Sequence, residues 1–124
     1  MNVKISSDNN IVDRSYKFAL EIIKLVNFLP KSTSGTVIGN QIIKSGTSIG
    51  ANVEEAQGAA SKKDFANKMA ISKKEARETR YWLRLIKDSG ILKVAQVKSL
   101  LDECNSIINI LTAIIKTSKA NLKC

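Results

Sequence analysis

Four stretches of this chain carry apolar or small residues at alternating spacings of three and four, and this pattern restricts the fold more than any other feature. Such spacing aligns side chains along one side of a helix and is typical of the seams in antiparallel helix bundles. The stretches cover about residues 10–29, 36–57, 61–88 and 94–119 of the 124 in the chain. Pro30, Gly58 and Gly90 stand at the ends of the first three, where helices commonly stop.

The connections between these stretches are short, which forces consecutive helices to run antiparallel. A chain of this length fits one domain and buries roughly two-thirds of its surface on folding, enough for a core without cross-links. We therefore predict that residues 1–124 form a single all-α domain. The predicted architecture is a left-handed, up-down-up-down four-helix bundle that assembles as a homo-oligomer.

The first and fourth helices carry more apolar residues than one core-facing stripe of about 100° requires. The predicted inward sets are Val12, Ser15, Ala19, Ile22, Val26 and Leu29 on the first helix, and Val97, Leu101, Cys104, Ile108, Leu111 and Ile115 on the fourth. Other apolar residues repeat every seven positions outside these sets, and large exposed apolar patches normally mark interaction surfaces. The third helix adds a tryptophan that stands among charged residues. Together with it, these additional apolar residues predict an oligomer interface that consists of Phe18, Leu25, Trp82, Leu100, Ile107 and Ile114.

Positive charge is concentrated on the third helix. The chain has a formal net charge of +9, and residues 61–92 hold nine basic and four acidic side chains. At 100° per residue, one narrow band of that helix contains Lys62, Lys73, Arg77, Arg80 and Arg84. A basic stripe of this kind is what phosphate contacts require. The alternative is a solvated face whose charge is partly neutralised by Glu75 or Glu78.

The second helix is unusually rich in small residues, since Gly39, Gly46 and Gly50 lie inside it and each costs up to about 1 kcal/mol relative to alanine. Packing must hold such a helix in place. The third helix has small residues at the centre of its predicted seam, including Ser72 and Thr79. We therefore expect these two helices to approach each other closely, with a ligand slot between them as the alternative.

Residues for catalysis or metal binding are scarce in this sequence. Di-metal sites in four-helix bundles use histidine with glutamate, and the chain contains no histidine. The run Ser45–Gly50 lacks the lysine and the preceding strand that a phosphate-binding loop requires. We predict no catalytic residues, no cofactor and no metal, with an all-carboxylate metal cluster as the remaining alternative.

The two cysteines and the hydropathy of the chain suggest a reducing compartment. Cys104 falls in an apolar helical pattern, which predicts a buried thiol, and Cys124 is the last residue; an intermolecular disulfide is the alternative. No uncharged apolar run reaches the 18 or so residues of a membrane span. We expect a cytoplasmic protein without a membrane partner.

Three segments, Gln41–Gln57, Ser61–Phe65 and Lys74–Leu83, together resemble the four-helix-bundle family of the 23S rRNA intervening-sequence proteins. The resemblance implies a ring-like homopentamer encoded within insertions of ribosomal RNA genes. It also implies kinship with basic bundle proteins of diversity-generating retroelements, which bind nucleic acid and a reverse transcriptase. No catalytic residues are known for the family. Besides Phe65 and Leu83, the positions that match its motifs are interpreted as a structural polar network between the second and third helices, namely Ser48, Asn52, Glu55, Glu75 and Glu78.

Charge, apolar surplus and resemblance together favour a non-enzymatic, basic, homo-oligomeric protein that binds the backbone of RNA or DNA through the stripe on its third helix. No aromatic residues are interleaved with the stripe, so base stacking is not indicated and sequence selectivity should be weak. The alternative function is a protein–protein interaction scaffold or accessory subunit that does not bind nucleic acid.

Overall fold

The computed structural model describes residues 10–123 and shows four helices along the chain: α1 (Ile11–Phe28), α2 (Thr33–Gln57), α3 (Lys62–Ser89) and α4 (Val94–Lys123). Within that range there is no strand. The predicted all-α class and the number of helices are confirmed. Residue 124, and with it the predicted tail thiol, lies outside the described residues, as do residues 1–9.

Three of the helices begin at a polar side chain that caps the first turn. The side-chain oxygens of Asn10, Ser32 and Ser61 accept hydrogen bonds from the backbone N–H three residues further on, at 3.2, 3.1 and 3.0 Å. Each cap satisfies a backbone donor that the helix itself leaves free. The cap at Ser32 explains why α2 begins earlier than the sequence pattern predicts.

The helix ends follow from backbone restrictions at two residues. Pro30 cannot supply a backbone N–H, and Leu29 before it is already extended, so α1 ends at Phe28. Gly90 adopts a left-handed conformation with φ of 76°, which a side chain would disfavour, and its N–H bonds to the Lys87 carbonyl at 3.3 Å.

Contacts between successive helices run in opposite order along the two chains. On α2, Gly39 lies nearest to Leu29, which directly follows α1, and to Val26 of α1, while Gly50 lies nearest to Ser15 of α1. Between α3 and α2, hydrogen bonds join Ser72 to Ile49 and Thr79 to Ser45. Residues late in one helix therefore contact residues early in the neighbouring helix.

The first helix, α1, also packs against the last helix, α4. The Arg14 guanidinium on α1 makes two hydrogen bonds to the Glu103 carboxylate on α4, from Nη2 to Oε1 at 2.7 Å and from Nε to Oε2 at 2.9 Å. Both side chains are partly buried, and a two-point Arg–carboxylate pair of this kind fixes orientation as well as charge. α1 and α4 otherwise share the least contact of the four neighbouring pairs.

The core includes residues that the sequence pattern assigned to an outer surface. Phe18, Leu25, Leu100 and Ile107 are only 2%, 4%, 7% and 0% exposed within the single chain. The prediction that they form an exposed second row is therefore wrong. The physical reason is that α1 and α4 each pack against two neighbouring helices, so the buried arc is wider than one stripe. The surplus of apolar residues, which was the main sequence argument for self-association, is largely used inside the bundle.

The glycines of α2 allow close approach to α1. A methyl group at Gly46 would lie 2.9 Å from Ile22 Cγ2 on α1, and one at Gly50 would lie 3.3 Å from the Ser15 carbonyl oxygen. The expected close approach of α2 to α3 is also present, and it is made by residues other than these glycines. The small residues of α3 instead bring hydroxyl groups to α2, with 2.8 Å from Ser72 Oγ to the Ile49 carbonyl oxygen.

No helix in the described part of the chain has the length and apolar character needed to cross a membrane.

Replacement of Gly46 by alanine tests the close contact of α1 with α2. The new methyl group would overlap Ile22, which is fully buried, so its strain outweighs the gain in helix propensity. We expect Gly46→Ala to lower the free energy of unfolding by about 1–2 kcal/mol in urea denaturation. Gly58→Ala is the control, since its nearest neighbour is 3.9 Å away, and it should be close to neutral. A stabilised Gly46→Ala protein would contradict this packing.

Candidate nucleic-acid interface

The basic stripe predicted from the sequence lies on the flank of α3 that borders α4. All of its members line clefts to which α4 also contributes side chains. We call this surface the α3–α4 groove; its predicted members are Lys62, Lys73, Arg77, Arg80 and Arg84. At 1.5 Å per residue, the cations from Lys62 to Lys87 extend over about 37 Å of helix. The structure thus brings all five predicted residues to one side of the molecule.

Three clefts follow one another along the groove. The terminal cleft, of about 130 Å³, is lined by Lys62, Phe65, Ser118 and Asn121. The middle cleft, of about 380 Å³, is lined by Ala70, Lys73, Lys74, Arg77, Ile115 and Lys119. The loop cleft, of about 350 Å³, is lined by Arg80, Arg84, Lys87, Val94, Lys98, Leu101, Asp102 and Asn105. Each is therefore bordered by both helices.

None of the five predicted cations forms an ion pair with a carboxylate in the described part of the chain. Ion pairs recorded within residues 10–122 join other side chains, such as Lys98 to Asp102 at 3.0 Å and Lys87 to Asp88 at 3.7 Å. Glu78, proposed as a neutralising partner, instead accepts a hydrogen bond from Trp82 Nε1 at 3.2 Å. The positive potential of the groove is therefore available to an external anion.

One hydrogen bond orients a cation across the groove. Arg80 Nη1 donates to Asn105 Oδ1 on α4 at 3.2 Å. A planar guanidinium held on one edge keeps its remaining N–H groups directed outward, where they can pair with two oxygens of a phosphate. This contact makes Arg80 the most constrained member of the stripe.

The structure adds four lysines that the sequence interpretation did not include: Lys74 and Lys87 on α3, and Lys98 and Lys119 on α4. One signal could have found the last of them. After Glu103 the chain contains no aspartate or glutamate, while three lysines follow. Of these three, Lys119 lines the middle cleft beside the stripe.

The predicted polar network between α2 and α3 is formed by other residues. Ser48 Oγ donates to the Lys44 carbonyl oxygen at 2.6 Å, and Asn52 Nδ2 donates to the Ser48 carbonyl oxygen at 2.8 Å, so both bonds stay within α2. Among the described side chains, the bonds that cross between the two helices come from Ser72 and Thr79. The bonds of Ser48 and Asn52 are ordinary back-bonds to the preceding turn. Glu55 is exposed and Glu75 is half-buried on the outer sides of these helices.

Of the six predicted interface residues, Trp82 and Ile114 are partly buried and pack against the edge of the core, leaving some surface free. Trp82 makes an edge-to-face contact with Tyr81, at 5.0 Å between ring centroids. Three further apolar side chains of α3 are 42%, 54% and 36% exposed; these are Ile71, Tyr81 and Leu85. With Trp82 they form what we call the outer face of α3.

Cys104 is buried in the core and its thiol is unreactive. Sγ donates a hydrogen bond to the Ala76 carbonyl oxygen at 3.3 Å. Burial raises the pKa of the Cys104 thiol to about 12, against an opposing effect of the nearby Arg80 charge. A thiol with this pKa stays protonated at neutral pH and is a poor nucleophile. The described residues also contain no group of three or more His, Cys, Asp or Glu side chains that could hold a metal ion.

These features define an all-α protein of four helices in which a groove rich in lysine and arginine runs between the last two. The sequence model of the family described as 23S rRNA-intervening sequence protein matches residues 7–113, which is most of the chain. The chain therefore belongs to that family, and the resemblance noted from the sequence motifs is confirmed.

The fold is similar to that of a solved structure. This is a crystal structure of a protein with unknown function from the S23 ribosomal protein family of Bacteroides thetaiotaomicron VPI-5482. The two share 42% sequence identity and a TM-score of 0.81, over 86% of this chain and 98% of that chain. Among curated protein sequences nothing matches the chain.

The raised pKa of Cys104 predicts how stability depends on pH. Between its ordinary value of 9.0 and about 12, the unfolded protein releases the thiol proton and the folded protein retains it. Stability should therefore be unaffected below about pH 9 and fall as the pH rises above it. From pH 8 to 10.5, in reductant, we expect wild type to lose about 2 kcal/mol more than Cys104→Ala in urea denaturation. Equal pH dependence in the two proteins would contradict the assignment.

Proposed function

We propose that this protein is a non-enzymatic, basic, homo-oligomeric four-helix bundle that binds the backbone of RNA or DNA through the α3–α4 groove. One observation carries the proposal: five cations of α3 lie along one groove beside lysines of α4, and none of these five has a carboxylate partner among the described side chains. Maintaining such a row costs stability through repulsion, so a polyanionic partner is its simplest explanation.

The proposed binding is electrostatic and follows the release of counterions from the nucleic acid. If each of the five predicted cations neutralises one phosphate of a duplex, the logarithm of the association constant falls with the logarithm of salt concentration with a slope of about −4.5. A rise from 50 to 200 mM salt then weakens binding roughly 500-fold. For a single strand the same contacts give a slope of about −3.5.

The groove provides charge without stacking surfaces for bases. Its middle and loop clefts contain no aromatic side chain, and Phe65 in the terminal cleft is half-buried. Contacts to phosphate position a nucleic acid without reading its bases. The proposed binding is therefore weakly selective for sequence.

The proposed assembly rests on the family and on the outer face of α3. The opposite order of contacts between successive helices supports an up-down-up-down bundle. The family resemblance supports a homopentamer, in which five copies of a chain with a charge of +9 would repeat the groove around one axis. Trp82 and its exposed apolar neighbours are the surface that this assembly would use.

The proposal assigns the protein no catalytic step and places it in the cytoplasm. Its chain lacks histidine, and the buried Cys104 thiol offers neither a nucleophile nor an accessible ligand. A free, buried thiol is also compatible with a reducing compartment where RNA is abundant.

Removal of three arginines from the groove tests nucleic-acid binding. We expect Arg77→Gln/Arg80→Gln/Arg84→Gln to weaken binding of a generic RNA duplex at least tenfold at 50 mM salt and to reduce the salt slope by about 2 to 3. Fluorescence anisotropy at several salt concentrations measures both. Circular dichroism checks that the variant remains helical.

A matched control separates the groove from the overall charge. Lys17→Gln/Lys31→Gln/Lys44→Gln removes the same charge from exposed positions outside the groove. It should bind within about threefold of wild type. Equal weakening by the two triple variants, or a flat salt dependence of the wild type, would overturn the proposal.

The mass of the protein in dilute solution tests the assembly. We expect light scattering to give five times the chain mass of 13.6 kDa for the wild type. Trp82→Ala should shift the mass toward smaller species, because it removes the largest side chain of the proposed contact, while Tyr16→Ala, on the exposed side of α1, should not. A monomeric wild type would refute the assembly and favour a second candidate function, an interaction scaffold whose outer face of α3 binds another protein.

A further inference from the structure

We propose that the middle cleft of the α3–α4 groove is a binding site for a compact polyphosphate, meaning a linear chain of phosphoryl groups that is either free or attached to the 5′ end of an RNA. The inference goes beyond general backbone binding, and it does not require the rest of the groove to bind nucleic acid. It rests on the composition of this cleft and on its difference from the loop cleft.

The middle cleft gathers four cations and no carboxylate. Lys73, Lys74 and Arg77 come from neighbouring turns of α3, and Lys119 faces them from α4. The other lining residues, Ala70 and Ile115, have side chains without polar atoms. An anion that enters this cleft therefore meets hydrogen-bond donors on its sides and no competing acceptor side chain.

The loop cleft has a different charge balance although it is similar in size. Asp102 is part of its lining and pairs with Lys98 at 3.0 Å. Asn105 takes one N–H of Arg80. Part of the donor capacity of the loop cleft is thus already satisfied within the protein, whereas none of the four cations of the middle cleft forms an ion pair in the described part of the chain.

The helices themselves do not require these charges. Lys73 and Arg77 are like charges four residues apart on one helix face, an arrangement that destabilises a helix. Lys119 lies near the C-terminal end of α4, where a cation interacts favourably with the helix dipole. That explanation does not extend to Lys73, Lys74 and Arg77, which lie in the middle of α3.

The charge density and the volume of the cleft favour several phosphoryl groups over one. Its volume of about 380 Å³ falls within the ~300–1,000 Å³ of typical small-molecule sites. Arginine can pair with two oxygens of one phosphoryl group, and lysine acts as a mobile point charge for another. A chain of three phosphoryl groups offers enough oxygens to pair with the cations of both helices at once.

Calorimetric titration with sodium tripolyphosphate tests the site directly. We expect one tripolyphosphate to bind per chain, and Lys73→Gln/Lys119→Gln to weaken binding at least tenfold. The control Arg84→Gln/Lys98→Gln removes the same charge from the loop cleft and should weaken it less than threefold. Equal weakening by the two variants would show diffuse attraction and overturn the proposal, as would the absence of binding to the wild type.

A second measurement does not depend on variants. Tripolyphosphate should shift the NMR signals of the Ile115 methyl groups and the Ala70 amide, while those of Val94 and Leu101 in the loop cleft stay in place. Larger shifts at Val94 and Leu101 would contradict the assignment.

Two RNAs of one sequence identify the natural source of the phosphates. Tighter binding of a 5′-triphosphorylated strand than of its 5′-hydroxyl counterpart, lost in Lys73→Gln/Lys119→Gln, assigns the site to an RNA end. Equal binding of both strands, with tripolyphosphate still bound, assigns it to a free polyphosphate. RNA binding without tripolyphosphate binding overturns this inference and leaves the proposed function standing. Tripolyphosphate binding without RNA binding supports this inference and overturns the proposed function.

Discussion

The arrangement of the molecule depends on the buried hydroxyl groups that α3 directs at α2. Ser72 and Thr79 are completely buried: Ser72 Oγ donates to the Ile49 carbonyl oxygen of α2, while Thr79 Oγ1 lies 2.9 Å from Ser45 Oγ of α2 and 2.8 Å from the Glu75 carbonyl oxygen of its own helix. These contacts favour the observed rotation of α3 about its axis. With that rotation set, the lysines and arginines of α3 come to lie beside α4. The position of the groove is thus a consequence of a polar contact on the other side of the same helix.

The sequence pattern predicts α3 better than α1 or α4, for a physical reason. In the predicted α3 seam Phe65 is half-buried and the other members are all buried, because polar residues mark most of the outer positions; these members are Met69, Ser72, Ala76, Thr79, Leu83 and Ile86. On α1 and α4, apolar residues occupy more than one stripe, so two choices of inward face fit the pattern about equally well. On α4 the predicted inward residues from Val97 to Leu111 are buried, and Ile107 is buried beside them; on α1 the prediction that kept Phe18 outside failed, because apolar residues on the flank of the stripe also pack against the neighbouring helices.

The candidate site was likewise only partly predictable. The stripe of five cations follows from helical spacing alone, since it lies on one regular element. Lys98 could be assigned to the same surface only once the packing of α4 on α3 was known, whereas the lack of acidic residues after Glu103 is a sequence signal for Lys119. The cross-helix hydroxyl bonds escaped the motif-based interpretation because conspicuous polar residues such as Ser48 and Asn52 bond to their own helix. Hydroxyl-bearing residues at seam positions, Ser72 and Thr79, were the better indicator of hydrogen bonds between α2 and α3.

The pair formed by Arg14 and Glu103 lies on the seam where α1 and α4 share the least contact. Local opening in proteins begins where packing is sparse. α1 is therefore the helix that can detach first, while α2, α3 and α4 hold together through their more extensive contacts. The groove is built from α3 and α4 alone, so detachment of α1 would leave the positions of its cations unchanged. The protein can therefore unfold locally at α1 without releasing a polyanion bound in the groove.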